Sequence, residues 1–242
     1  MRNEDYEQRY AALKKKGKLY PNMVEIIMGL TLVFCLCFFS ASKYEDETMI
    51  FMLNPCHVTA LLQAICCFCP YNKWTELVAL TSFAFNFGGW IGIFFPELEG
   101  YSQADITTYY IQHIIASFFG TLVFSLCGRF DCLSYKKAMY YVTGYIMFTT
   151  YMREFLMPIS LLTWANLNHT LCGTDSDPVW RIFDLGKWYY LLAECYLGAA
   201  ALAAIAGNFA ICYVVKRFVL GDWTCSHDLN TVSQEKLHKK EN

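Results

Sequence analysis

Asn54-Pro55-Cys56-His57 sets a thiol and an imidazole directly behind a residue pair that starts helices. Asn is a good N-cap and proline is at home in the first helical position, so Cys56 is predicted in the first turn of a helix. There the unpaired backbone N–H groups and the positive end of the helix dipole favour a thiolate, a better nucleophile than the thiol. The chemistry this suits is attack on a carbonyl carbon, with a base to move the proton. His57 adjoins Cys56, but neighbours along a helix point about 100° apart, so a histidine from another helix is the better partner. His113 is the candidate. The motif also has a plain explanation, since proline kinks transmembrane helices and a buried cysteine is usually a small hydrophobe.

The elements that must hold these residues are membrane helices. The chain is 56% hydrophobic and 17% charged, where ordinary soluble domains carry about 25% charged residues. Net charge is −2 and pI about 6.2, so nucleic acid is not an expected partner. The twelve cysteines fall mostly within apolar runs, which argues against a disulfide scaffold. Residues 1–22 read as a charged cytosolic tail and residues 216–242 as a second polar tail. Between them, residues 23–215 hold apolar runs at about 23–41, 51–70, 74–96, 106–127, 138–164 and 188–215, each near the length that crosses a bilayer. The expected fold is therefore all-α, a bundle of six transmembrane helices.

Fifteen of the nineteen Lys and Arg residues fall in the tails and loops that share a side with the N-terminus, and three fall opposite. This predicts an N-in, C-in topology. Asn168-His169-Thr170 is a glycosylation sequon in the last outer loop, making Asn168 a candidate acceptor. Counting about 1.5 Å of rise per residue puts Cys56 and His57 roughly 8 Å below the outer surface, His113 about 10 Å and Glu194 about 9 Å. Arg153, Glu154 and Asn86 lie about 15 Å deep. Ionisable residues inside spans are expensive and so are functional candidates. Arg153 and Glu194 are expected as a buried cross-helix ion pair behind the site. Glu154 or Asn166 can orient His113, and His57 can hold a substrate oxygen. The inner half of the spans reads as nearly apolar. Cys66, Cys67 and Cys69 read as buried or lipidated thiols at the inner face, and Tyr109 as one of several aromatic belt residues.

Leu53-Asn54-Pro55-Cys56-His57-Val58, His113 and Asn166-Leu167-Asn168-His169 together resemble the transmembrane protein 164 family. The likeness extends over most of the span region. The family is similar in layout to the androgen-induced intramembrane hydrolases, which use a Thr and a His. The resemblance implies a polytopic acyltransferase that makes polyunsaturated ether phospholipids through a cysteine thioester, with Cys56 the acyl carrier and His113 its partner.

The expected function is transfer of a fatty acyl group between membrane phospholipids and lysophospholipids, with no cofactor and no metal, in the endoplasmic reticulum or Golgi. Two rivals stay open. A lipid hydrolase would use water as acceptor. A transporter or channel would use the buried His, Glu and Arg residues as a path, although no inverted repeat is visible.

Overall fold

The computed structural model describes residues 3–94, 96, 98, 100–130, 145–167 and 188–219. These residues are helical throughout, with turns between helices and no strand among them. A short polar helix α1 (Asn3–Lys15) precedes α2 (Met23–Glu45). Asn22 starts α2 with a capping box, its side chain accepting from Glu25 N while the Glu25 carboxylate accepts from Asn22 N. One face of α2 buries Met28, Leu32, Cys35 and Phe39, while Met23, Val24, Ile27, Leu30 and Phe34 are exposed. An apolar stripe turned outward along 23 residues is what a lipid-facing helix presents.

A 3₁₀ turn (Met49–Leu53) leads into α3 (Pro55–Phe68). The apolar run predicted from residue 51 is therefore not one helix. Asn54 is extended (ψ 142°) because the residue before a proline is driven out of the helical region. What remains helical is 14 residues, about 21 Å. Helix α3 packs between α2 and α4 (Lys73–Phe85), which continues past Asn86 as α5 (Phe87–Phe94). Next come α6 (Gln103–Ile114), a π-helical stretch (Ile115–Phe119) and α7 (Gly120–Cys127). Residues 145–150 lead into a second π stretch (Tyr151–Leu156) and α8 (Met157–Thr163), and α9 (Tyr189–Val214) is the last long helix. Three runs, Met23–Glu45, Lys73–Phe94 and Gln103–Cys127, are long and apolar enough to cross a membrane. Pro55–Phe68 and Ala201–Ile211 are apolar but shorter.

Each π stretch has an identifiable cause. Gly120 N reaches back to Ile115 O, so Ala116 O loses its ordinary helical donor, and Gln63 Nε2 on α3 takes it at 2.8 Å. Asn86 Nδ2 donates to Ser117 O at 3.2 Å and to Thr121 Oγ1 at 3.1 Å. The irregular turn is thus held by amide side chains from two other helices. In the second stretch Pro158 has no N–H for the carbonyl four residues earlier, and Met157 N instead bonds Met152 O.

The end of the bundle nearest residues 1–22 carries a buried polar cluster of its own. Gly128 ends α7 in the left-handed region (φ 71°), where glycine carries no Cβ penalty, and the chain turns so that Arg129 folds back beneath α3. Its Nε donates to Glu25 Oε1 at 2.9 Å, and both side chains are 1% exposed. Its remaining nitrogens donate to Cys69 O and Cys66 O, the orphan carbonyls at the end of α3. Beside this pair, the Tyr71 hydroxyl donates to the buried Glu76 carboxylate, and burial together with that partner raises the Tyr71 pKa. Cys66 and Cys67 are fully buried and Cys69 is half-buried, so packing accounts for the first two thiols.

Candidate functional site

Asn54 occupies the N-cap position and Pro55 opens α3, as predicted, but the Asn54 side chain makes no capping bond. Its carbonyl takes that part, accepting from His57 N at 3.0 Å and Val58 N at 3.2 Å. Its Oδ1 is buried with no hydrogen-bond partner among the described residues. Cys56 is the second residue of α3 and half-buried. Two groups from other elements lie within electrostatic reach of its sulfur. One is the Lys43 ammonium, which sits 5.4 Å from the centre of the Phe51 ring. The other is the Tyr151 phenol, whose hydroxyl donates to Leu53 O at 2.6 Å.

The two histidines come together. His57 is buried against Phe39 (ring centroids 5.4 Å apart), and Gln112 Nε2 lies 3.0 Å from its Nδ1. His113, the residue after Gln112, is buried, and its Nδ1 lies 2.8 Å from Tyr109 O. The His113 ring stacks on Tyr109 at 3.9 Å, and the Tyr109 hydroxyl is tied to Gly92 O at 2.8 Å. The two imidazoles are close enough to interact electrostatically. Helix α5 links both to the cysteine. An ideal Cβ on Gly88 would lie 3.8 Å from Pro55 Cβ, and one on Gly92 would lie 2.8 Å from His113 Nε2. Pro55 and His113 therefore lie along the same side of α5, four residues or about 6 Å of rise apart.

Glu154 and Arg153 fall on the second π stretch, and both side chains are exposed. The orientation of His113 expected of Glu154 or Asn166 is supplied by Tyr109 O within its own helix. Asn166 is half-buried after α8. Arg153 is exposed rather than buried, and the pairing expected of it with Glu194 rests on a side chain outside the described residues, as does all of Asn168. Two contributors were missed. Gln112 is uncharged and so does not stand out among ionisable groups, although a glutamine within a 25-residue apolar run is itself a signal. Tyr109, read as part of an aromatic belt, is instead part of the His113 mounting.

The arrangement offers a cysteine at a helix start, two imidazoles whose Nε2 atoms make no hydrogen bond among the described residues, and a lysine and a tyrosine within electrostatic reach of the sulfur. Such a set can form and break a thioester within an apolar bundle. No solved structure matches the chain. The TMEM164 family model matches residues 7–206, and the chain belongs to the TMEM164 family.

Proposed function

We propose that the protein is an integral membrane acyltransferase that moves a polyunsaturated acyl chain between phospholipids, onto ether lysophospholipids, through a thioester on Cys56. The observation that carries this reading is the placement of Cys56 in the first turn of α3, with Pro55 and His113 along the same side of α5. In the first half-reaction His113 Nε2 takes the thiol proton and the sulfur attacks the ester carbonyl of the donor lipid. The C–O bond breaks, the imidazolium returns the proton to the departing alkoxide, and a lysophospholipid leaves. In the second, His113 takes the proton of an acceptor hydroxyl, whose oxygen attacks the thioester. The C–S bond breaks and the proton returns to the cysteine.

The finer topology belongs to the same proposal: six spans, both tails cytosolic and Asn168 lumenal, in the endoplasmic reticulum or Golgi. The charge bias across the loops supports it. Water in place of the lysolipid would make the same site a hydrolase, and the acceptor is what separates the two.

The test is intact-protein mass spectrometry of protein purified in liposomes with donor phospholipid. An acyl adduct that maps to Cys56 and is removed by hydroxylamine is expected, and it should vanish in Cys56→Ala. That variant should stay folded, since the change removes one sulfur and keeps the helix. Acyl transfer at the wild-type rate in Cys56→Ala would sink the mechanism.

A further inference from the structure

The Nδ1 atoms of His57 and His113 are both committed, but to partners of opposite character. A backbone carbonyl only accepts, so Tyr109 O requires a proton on His113 Nδ1 and leaves a lone pair on its Nε2. An amide nitrogen only donates, so Gln112 Nε2 requires a lone pair on His57 Nδ1 and places the ring proton on its Nε2. Neither Nε2 makes a hydrogen bond among the described residues. Phe39 and Tyr109 fix the two ring planes. The outcome is one imidazole held as a hydrogen-bond acceptor and its neighbour held as a donor, before any ligand arrives.

From this juxtaposition we infer that Gln112 is a positioning residue whose amide holds His57 as an Nε2–H donor to the carbonyl oxygen of the acyl group, while His113 carries the proton of the thiol and of the alcohols. The inference rests on the acyl-transfer reading and divides the labour within it. A donor aimed at the oxygen where negative charge grows acts only while the tetrahedral species exists, so it raises turnover rather than binding. Glutamine suits the task because it sets the tautomer with no net charge in a buried site. Glutamate at the same place would accept from Nδ1–H, move the proton off Nε2 and abolish the donor while keeping a hydrogen bond.

The experiment uses full-length protein labelled with ¹⁵N-histidine in lipid nanodiscs, where protonated and bare ring nitrogens resonate apart. Spectra of His57→Gln and His113→Gln assign the signals. Wild-type protein should show His57 protonated at Nε2 and His113 protonated at Nδ1. In Gln112→Glu the His57 pattern should invert, and kcat for Cys56 acylation should fall roughly 100-fold with KM nearly unchanged. Gln112→Leu should show a similar loss of kcat. Two histidines in the same tautomer would overturn the inference, as would Gln112→Glu with an inverted His57 and wild-type kcat. Opposed tautomers in a protein that forms no Cys56 adduct would instead overturn the acyl-transfer reading and leave the donor and acceptor pair standing.

Discussion

His113 is held on three sides, by Tyr109 O at Nδ1, by the Tyr109 ring across its face and by Gly92 at the Nε2 edge. The last of these gives a prediction with an internal control. A Cβ on Gly88 would meet Pro55 at an ordinary 3.8 Å, and glycine to alanine in a helix interior otherwise stabilises by about 0.5–1 kcal/mol. Gly88→Ala should therefore leave thermal stability unchanged or slightly raised. A Cβ on Gly92 would lie 2.7 Å from His113 Cδ2 and 2.8 Å from Nε2, so Gly92→Ala must displace the ring, at a cost of about 1–3 kcal/mol. A lower melting temperature and slower Cys56 acylation in Gly92→Ala, set against an unaffected Gly88→Ala, are the expected pair of results. At this scale the motif around Cys56 was readable because a cap position followed by proline acts through local backbone geometry. The support of His57 was not, since the amide that meets its Nδ1 comes from a residue 55 positions away on another helix.

Among the elements, the run from Gln103 to Cys127 has the hydropathy of one long helix, and its length was readable for that reason. Its π turn was not. The irregularity exists because donors on neighbouring helices reward a released carbonyl, and no pattern within the run records them. Gln63→Leu keeps the volume and removes the donor, leaving Ala116 O buried and unpaired. The expected loss is about 1–3 kcal/mol of stability, read as a lower unfolding temperature in detergent. If the π turn relaxes to regular α-helix in the variant, Gly120 N takes over Ala116 O and the loss shrinks. His113 would then rotate relative to the residues after the turn, and Cys56 acylation should fall further than stability does.

Across the whole molecule, the buried pair of Glu25 and Arg129 fastens the start of α2, the end of α3 and the chain leaving α7 at one point. Arg129→Met strands the Glu25 carboxylate in the interior, a change that costs about 3–5 kcal/mol in comparable sites. Cellular abundance of that variant should drop sharply. Glu25→Leu combined with Arg129→Met should recover part of the loss, with the carbonyls of Cys66 and Cys69 still lacking their donor. This knot was invisible in the sequence because Glu25 and Arg129 lie 104 residues apart in the chain. Only the turn at Gly128 brings them together.

The shortness of α3 has a physical consequence for the surrounding lipid. Next to α2, whose 23 residues reach about 34 Å, α3 covers about 21 Å of a hydrocarbon layer near 30 Å thick. Under the proposed reaction, Cys56 at the start of this stub is recessed toward the depth of the ester linkages. A bilayer that thins or puckers to meet that stub would bring its glycerol backbones toward the sulfur, so that in the proposed acyl transfer hydrophobic mismatch would serve as a means of substrate delivery.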